Sequence, residues 1–334
     1  MVEVADARQA ETLLAEAEAL AARLTQVRAA VGRVIFGQEQ VVERTLITLL
    51  SGGHVLLVGV PGLGKTKLVD TLGTVLGLDA KRVQFTPDLM PSDILGSEVL
   101  EEDGHGRRAF RFLKGPIFCQ LLMADEINRA SPRTQSALLQ AMQEQKVAIA
   151  GEIHTLPAPF HVLATQNPIE QEGTYPLPEA QLDRFLLEID VTYPDLAAER
   201  AMLLATTGAY EAKPIQAMSG AELIAAQQLI RRLPVGESVL EAILKLVRHA
   251  RPQTSPIETV QRNLAYGPGP RAAQALMLAT RARAVLDGRL SPSIEDVLAL
   301  AEPVLRHRMA LNFSARADGV RLSEVLDALK ADLG

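Results

Sequence analysis

An apolar run that leads into a glycine-rich turn decides the fold: Val55-Leu56-Leu57-Val58 is followed directly by Gly59-Val60-Pro61-Gly62-Leu63-Gly64-Lys65-Thr66. The turn fits the pattern G-x-x-x-x-G-K-[ST] at every fixed position. Its glycines allow backbone N–H groups to converge on phosphate oxygens without a Cβ in the way. A helix that begins at Lys65 would add the positive end of its dipole. The stretch predicts a buried strand, a phosphate-binding loop and a helix, and therefore a site for a nucleoside triphosphate.

Two side chains of this loop have specific predicted roles. Lys65 would reach the β- and γ-phosphates, and the Thr66 hydroxyl would complete the coordination of a Mg²⁺ ion. We expect the whole segment from Gly59 to Lys67 to contact the nucleotide. The alternative is an ordinary strand–turn–helix with a surface lysine, and the matching flanks on both sides disfavour it.

The segment before the loop predicts two helices. Apolar residues recur at steps of four and three over residues 8–31, which indicates one face of a helix closed by Gly32. This helix would pack on its own domain, although a coiled-coil seam has similar spacing. A second helix is predicted at about 39–50. Between the two, Gly37 and Gln38 could line a purine pocket, or could equally form a plain turn and helix cap.

A second apolar run, residues 119–124, ends at Asp125-Glu126. Continuous apolar strands are typical of parallel sheets that are covered on both faces, and ligands bind at the carboxyl ends of such strands. Asp125 would hold the magnesium through water, and Glu126 would polarise the water that attacks the γ-phosphate. An isolated acidic pair commonly caps a helix, so this prediction depends on the phosphate-binding loop upstream.

A third buried strand, residues 160–165, is followed by Asn167. Its amide would lie at the same edge of the sheet, where it could orient the attacking water. The structural alternative is an Asx turn before Pro168.

Two hairpins are also predicted between these strands. One has strands at 97–100 and 109–112 around Asp103-Gly104, after a loop that runs from Pro87 to Gly96. The other has strands at 147–149 and 153–155 around Gly151-Glu152, a turn of the favoured type.

The pattern changes at Tyr193-Pro194-Asp195, after a last predicted strand at 185–189. Beyond this point we predict helices only, at about 196–207, 220–232, 237–250, 271–286, 293–309 and 322–332. They describe a small helical bundle. Arg271 follows Pro270 at the start of its helix, where a cation opposes the helix dipole; an external anion would explain this position, and so would a plain surface arginine.

These boundaries divide the chain into three parts. We predict an N-terminal helix at 1–33, an α/β nucleotide-binding core with two β-hairpin inserts at 34–193, and a helical lid domain at 194–334.

Composition narrows the class of protein. The chain has 334 residues, 48% of them hydrophobic, and a net charge of −6, which disfavours nucleic acid as the main partner. No stretch approaches the length of apolar sequence that a membrane span needs, and the acidic N-terminus does not resemble a signal peptide. Cys119 is the single cysteine, which we expect to be a buried structural thiol. We therefore expect a cytoplasmic protein.

Taken together, these motifs resemble those of AAA+ ATPases. Gly59–Thr66 corresponds to Walker A, Leu121–Glu126 to Walker B and Asn167 to the sensor 1 position. More narrowly, the chain is similar to the MoxR family over the long segments 125–144, 164–168 and 177–185. The resemblance extends from about Gly37 to the C-terminus.

The resemblance implies a P-loop AAA+ core, with a five-stranded parallel sheet flanked by helices and the P-loop strand in its interior, followed by a C-terminal α-helical lid. It implies a homo-oligomeric ring, usually a hexamer, with ATP and Mg²⁺ between neighbours. Arg184 matches the arginine finger that reaches a neighbour's γ-phosphate, with Arg129 and Arg133 as weaker candidates. Arg271 matches sensor 2, although the family more often has Ser-Pro-Arg where this chain has Gly269-Pro270-Arg271.

The implied work is chaperone-like remodelling or maturation of a client protein, including metal or cofactor insertion, often with a partner that carries a von Willebrand factor A-type domain. Both hairpins would face the pore of the ring or a partner surface. Two alternatives remain open from the sequence. One is a nucleotide-regulated interaction switch with negligible turnover, and the other is a magnesium-chelatase-like subunit or a DNA-acting AAA+ motor.

Overall fold

The computed structural model describes residues 2–102, 108–170, 173–208 and 212–333, with side chains from Glu11 onward. The first half of the chain alternates helices and strands: α1 Val2–Gly32, α2 Glu39–Leu50, β1 Val55–Val58, α3 Lys65–Val75, β2 Ala80–Gln84, α4 Pro91–Leu95, β3 Gly96–Glu102 and β4 Arg108–Lys114. It continues with β5 Leu121–Asp125, α5 Pro132–Glu144, β6 Lys146–Ile149, β7 Glu152–Thr155, β8 His161–Gln166, α6 Glu179–Leu182 and β9 Leu187–Asp190.

The second half is mainly helical. Its elements are α7 Leu196–Thr206, α8 Gly220–Arg232, α9 Glu237–His249, α10 Glu258–Asn263, β10 Leu264–Tyr266, α11 Pro270–Leu286, α12 Ile294–Leu305, β11 Ala310–Leu311, α13 Phe313–Ala317 and α14 Leu322–Ala331. Among the helices of the described part of the chain, none is both long and apolar enough to cross a membrane.

Five strands form a parallel sheet in the order β2-β5-β8-β1-β9. The strand that leads into the glycine-rich turn, β1, lies between β8 and β9, so the predicted interior position is confirmed. All five residues of β5 are buried, as expected for a strand covered on both faces. The carboxyl ends of these strands meet at one edge, and this edge positions the site.

One hydrophobic core joins three parts of the chain. Leu24, Val27 and Val31 of α1 are fully buried in a cluster that also contains α2, α3, the helices of the second half and one face of the sheet. The N-terminal helix therefore packs on its own chain, as predicted, rather than presenting a free coiled-coil seam. A separate cluster covers the other face of the sheet and includes Phe85, Leu138 and Phe185.

The two hairpins pack against each other. β3 pairs with β4 and β6 pairs with β7, both antiparallel. The ring of Phe112 on β4 stacks on the ring of His154 on β7 with 4.3 Å between centroids, and the ring of Phe118 makes edge contacts with both. The predicted turn at Asp103-Gly104 lies outside the described residues.

Three predictions of local structure were wrong. Residues 87–96 are not all loop, because Pro91 fits the first turn of a helix and the Asp93 carboxylate accepts a hydrogen bond from the Met90 N–H (2.8 Å), so α4 forms. The second half is not helices only, because β10 and β11 pair, with Leu264 buried between them and the bundle. The helix predicted at 293–309 ends at Leu305, and a 3₁₀ turn, Arg306–Arg308, follows.

Candidate functional site

The glycine-rich loop forms an open cradle at the start of α3. Gly62 and Gly64 have φ values of +86° and +74°, a conformation that favours glycine. A Cβ at either position would meet no other atom within 4 Å, so the cradle has room for a ligand on this side. Gly59, in contrast, lies against the chain after β9, where a Cβ would be 2.5 Å from the Val191 carbonyl oxygen. The loop thus combines exposed backbone at Gly62 and Gly64 with a tightly packed residue, Gly59.

Lys65 bends back over this loop. Its Nζ donates hydrogen bonds to the carbonyl oxygens of Gly59 (2.5 Å) and Val60 (2.9 Å). Partial burial lowers the pKa of Lys65, and the carboxylates of Asp125 and Glu126 act in the opposite direction. The ammonium is therefore held at the cradle by groups that an anionic ligand could replace.

A cavity of about 460 Å³ lies between the cradle and the carboxyl ends of the strands. Its lining brings together the predicted phosphate and metal residues: Pro61 to Lys67, Asp125, Glu126 and Asn167. Arg82, Gln84 and Thr165, to which sequence reasoning gave no role, line it as well.

Asp125 is buried at the end of β5 and both of its oxygens are engaged. The Thr165 hydroxyl donates to Oδ1 (2.5 Å) and accepts a hydrogen bond from the Glu126 N–H (2.8 Å). Arg82 on β2 donates to Oδ2 through Nη2 (2.5 Å) and Nε (3.1 Å). The predicted metal ligand is therefore already held by an internal cation.

Glu126 lies next to it in a left-handed backbone conformation (φ +55°), which is uncommon for a residue other than glycine. Its Oε2 accepts hydrogen bonds from the Gln84 amide (2.8 Å) and from Arg129 (3.1 Å). Arg129 is also 3.7 Å from Glu170. Because Arg129 is engaged within its own chain, it is a poorer candidate for a group donated to a neighbour.

Asn167 forms the local turn that is the structural alternative to a functional role for this residue. Its Oδ1 accepts a hydrogen bond from the Ile169 N–H (3.1 Å), which is an Asx turn, and its Nδ2 lies 3.4 Å from a Glu170 oxygen. The residue still lines the cavity, so the turn positions the amide there.

A second, mainly apolar cavity of about 330 Å³ lies on the other side of the loop. It is lined by Ile35, Phe36, Gln38, Leu63, Tyr193, Pro194 and Met202, among others. The Gln38 amide donates to the Thr192 carbonyl (2.9 Å) and so fixes one wall. Gly37 lies behind this wall with a φ of +64°, close to Pro194 and Ala198, and lines a neighbouring cavity. The apolar cavity has the size and chemistry to take a purine base.

The two remaining predicted residues lie apart from both of these cavities. Arg271 at the start of α11 is 3.6 Å from Asp183. The Arg184 side chain has no hydrogen bond or ion pair among the described residues, and its Nε is buried without a partner. Arg308, which sequence reasoning treated only as part of a helix, is buried against the same segment.

Arg82 and Gln84 could have been found by extending one rule. Both lie near the carboxyl end of β2, the strand next to β5 in the sheet, and ligands bind at the carboxyl ends of parallel strands. Nothing in the local sequence around Arg308 signals its contact with Asp183, 125 residues away.

Two family models and several relatives match most of this chain. The sequence matches the family described as the ATPase family associated with various cellular activities over residues 54–187, and the AAA lid domain over residues 258–329. It is 42% identical over 312 residues to Chaperone MoxR1 of Mycobacterium tuberculosis, covering 93% of this chain and 81% of that protein. The chain belongs to the MoxR family of AAA+ ATPases.

Further relatives support this assignment to the MoxR family. YeaC of Bacillus subtilis is 39% identical, over 90% of this chain and 92% of its own length. MoxR of Paracoccus denitrificans is 31% identical, over 87% and 89%. The crystal structure of a protein from Cytophaga hutchinsonii superposes with a TM-score of 0.87 at 36% identity, covering 98% of both chains. The expected AAA+ core and lid are confirmed.

Proposed function

We propose that this MoxR-family chain forms a ring, usually of six subunits, that couples hydrolysis of Mg²⁺-ATP to chaperone-like remodelling or maturation of client proteins. One observation carries the hydrolytic part. The open glycine cradle and the Asp125–Glu126 pair line one cavity at the carboxyl edge of the sheet, which is the arrangement that phosphoryl transfer to water requires.

Each predicted site residue has a definite task under this proposal. Lys65 would exchange its carbonyl partners for phosphate oxygens, and Thr66 and Asp125 would hold the metal. Magnesium, when bound, offsets the negative charge on those oxygens. Glu126 leaves Gln84 and Arg129 to accept a proton from the attacking water, which the Asn167 amide orients. Arg271 from the lid adds a further cation at the γ-phosphate.

The ring part of the proposal depends on Arg184. This side chain lacks an internal partner among the described residues and lies outside the lining of its own phosphate cavity. An arginine that completes a neighbour's site would have both properties. Such an arginine is worth about 10³–10⁵ in rate in GTPases, so isolated subunits should hydrolyse ATP slowly.

The client part depends on the two hairpins. Leu100 and Phe110 face each other across β3 and β4 and are 54% and 71% exposed, and Ile153 at the other hairpin is 72% exposed. Exposed apolar side chains such as the Leu100–Phe110 pair are candidates for a binding site for another protein. By resemblance to the family, we propose a client protein here, a von Willebrand factor A-type partner, and cytoplasmic work that includes metal or cofactor insertion.

The test is ATP hydrolysis measured against protein concentration. We expect specific activity to rise with concentration for the wild type, and Glu126→Gln to lose about 10²–10⁴ of it, the usual worth of a general base. Arg184→Ala should lose a similar amount while it still binds ATP. Arg248→Ala, at an exposed arginine on α9, is the matched control and should retain activity.

Mixing the two inactive variants tests the donated arginine. Glu126→Gln subunits still offer Arg184, and Arg184→Ala subunits still hold Glu126, so a mixture should hydrolyse ATP when neither variant alone does. Turnover that is independent of concentration, with no recovery on mixing, would contradict the ring.

One observation favours the runner-up, a nucleotide-regulated interaction switch. Both carboxylate oxygens of Asp125 already have internal partners, and Oε2 of Glu126 accepts hydrogen bonds from two side chains. A switch predicts tight ATP binding and client release without measurable turnover at any protein concentration.

A further inference from the structure

The phosphate cavity and the apolar cavity share the glycine-rich loop. Pro61 to Lys65 line both of them. A nucleotide whose phosphates lie in the cradle can therefore place its base in the apolar cavity without leaving the loop. Part of the wall of that cavity belongs to α7, a helix to which sequence reasoning gave no role in the site.

The helix α7 contributes three side chains to this wall, those of Glu199, Met202 and Thr206. Steps of three and four residues place them on one face of the helix. A methionine side chain is flexible and polarisable and packs well against an aromatic ring. Glu199 is the one carboxylate in the described lining of this mainly apolar cavity.

The Glu199 carboxylate makes no hydrogen bond or ion pair with any residue that the structure describes. It differs in this respect from Asp195 of the same segment, which accepts a hydrogen bond from the Ala198 N–H (2.8 Å) and caps the helix. Glu199 is partly buried, and a carboxylate beside apolar surface is stabilised by a hydrogen-bond donor. The amino group of a base in this cavity would be such a donor.

The packing of α7 also leaves room for a ligand. Its N-terminal end is held closely, because a Cβ at Gly37 would be 2.4 Å from the Ala198 Cβ. None of residues 196–206 is buried, however, whereas α8, α9, α11 and α12 all contribute buried side chains to the core. A helix of eleven residues is marginal without packing. A base against Met202 and Thr206 would therefore stabilise the C-terminal half of α7.

We propose that α7 recognises the base of the bound nucleotide, and that Glu199 selects adenine by accepting a hydrogen bond from its 6-amino group. Guanine has a carbonyl oxygen at that position, which a carboxylate repels. The match to an ATPase family favours adenine as the base. This inference rests on the nucleotide binding in the proposed function and adds the selection of the base. Glu199 is a specificity-determining residue and takes no part in phosphoryl transfer.

The first test compares ADP with inosine diphosphate, in which a carbonyl oxygen replaces the 6-amino group and N1 carries a hydrogen. Affinities are measured by calorimetry with Mg²⁺ present. The wild type should prefer ADP, and Glu199→Gln should lower the ratio of the two affinities about tenfold, the effect of one hydrogen bond to a charged group. Glu241→Gln, at an exposed carboxylate on α9, is the matched control and should leave the ratio unchanged.

Neighbouring apolar residues of α7 provide a second comparison. Met202→Ala should lower the affinity for ADP about fivefold, because the base loses apolar contact area. Leu203→Ala is the control, since Leu203 is 56% exposed and does not line the cavity. It should leave the affinity unchanged.

Hydrogen exchange tests the response of the helix itself. ADP should slow amide exchange over residues 199–206, because the base completes the packing of this half of α7. Inorganic tripolyphosphate, which occupies the cradle but carries no base, should slow exchange at the glycine-rich loop and leave residues 199–206 unchanged. If tripolyphosphate protects α7 as strongly as ADP does, the helix responds to phosphate alone and the proposal is overturned.

The outcomes separate this inference from the proposed function. If the wild type binds neither ADP nor tripolyphosphate, nucleotide binding fails and the proposed function fails with it. If ADP binds but Glu199→Gln leaves its preference over inosine diphosphate unchanged, the inference fails while the proposed function stands. A preference for GDP over ADP that Glu199→Gln removes would overturn the assignment to adenine.

Discussion

The two ends of the parallel sheet hold polar groups in opposite ways. At the carboxyl end, Asp125 and Glu126 are bound by partners that are themselves partly exposed, such as Arg82 and Arg129. At the amino end, His54 and His161 are buried and every ring nitrogen is bonded, to Met142, Val162, Gly53 and Gln227. The groups at the carboxyl end can exchange their partners for a ligand, whereas the histidines at the amino end fix the framework of the sheet. Polar groups are paired at both ends, so the functional end is distinguished by partners that a ligand can replace.

The largest expected effect is at the amino end. Burial lowers the pKa of His54 to about 3 and that of His161 to about 4, so both are neutral in the folded protein. Their unfolded pKa is near 6.5, so their contribution to stability is complete above that pH and is lost as the pH falls from 6.5 toward 4. Protonation of these two histidines in the unfolded state should lower the free energy of unfolding by up to about 2.7 kcal/mol per pH unit as the pH falls from 6.5 toward 4. Buried His307, whose pKa is also lowered, acts in the same direction.

Urea unfolding between pH 7.5 and 5 measures this slope. His161→Gln should reduce it by about a third, because buried His54 and His307 remain. A free energy of unfolding that stays constant below pH 6.5 would show that the histidines are not held neutral.

The second largest expected effect is that of removing the Lys65 side chain at the carboxyl end of the sheet. Its ammonium is bonded only to carbonyls of its own loop among the described contacts, so Lys65→Ala should fold normally. ATP affinity should fall about 100-fold, since hydrogen bonds from a charged donor are worth about 1.5–3 kcal/mol each. Fluorescent-nucleotide titration measures this, with exposed Lys146→Ala as control. A melting temperature that falls together with the ATP affinity would instead show that Lys65 stabilises the fold.

A smaller effect concerns Arg82 and the metal. Arg82 binds the Asp125 oxygen that a metal would need. Arg82→Ala should therefore lower the Mg²⁺ concentration needed for half-maximal ADP binding about threefold to tenfold, the equivalent of roughly 1 kcal/mol. Arg82→Lys, which keeps the charge, should lie between the two. A higher Mg²⁺ requirement in Arg82→Ala would mean that the arginine supports the metal site instead of competing for it.

The smallest expected effect is that of Gln84. One hydrogen bond of 2.8 Å, from the exposed Gln84 amide to the Glu126 carboxylate, holds Glu126 on this side, and solvent exposure keeps its contribution at the low end for single hydrogen bonds, about 0.5–1 kcal/mol. Gln84→Ala should raise the basal rate of ATP hydrolysis about twofold to fivefold, measured at fixed protein concentration. Gln143→Ala, exposed on α5, is the control. A drop of the rate would show that Gln84 orients Glu126 for catalysis.

Local sequence was sufficient for the parts of this protein that depend on local geometry. The phosphate-binding loop needs glycines and a lysine in fixed order, and buried parallel strands need apolar runs, so Pro61–Lys67, Asp125, Glu126 and Asn167 were all predicted and lie around one cavity. The roles of these residues, and those of Arg184 and Arg271, stay predictions, as do the domain boundaries.

Contacts between distant segments could not be predicted in this way. Arg82 meets Asp125 because β2 and β5 are neighbours in the sheet, with Gln84 opposite Asp125. Arg308 meets Asp183 because the lid folds back on the core. Neither pairing leaves a periodic pattern, since each depends on a single side chain in a tertiary contact. The short strands β10 and β11 were missed for the same reason.

The stacked rings of Phe112 and His154 also constrain mechanics. They join the hairpin that follows α4 to the hairpin that follows α5, and α5 begins six residues after Glu126. A force applied to one hairpin is therefore transmitted to the other through this ring contact. A displacement that starts at the hydrolytic carboxylate would move both hairpins by similar amounts and in one direction.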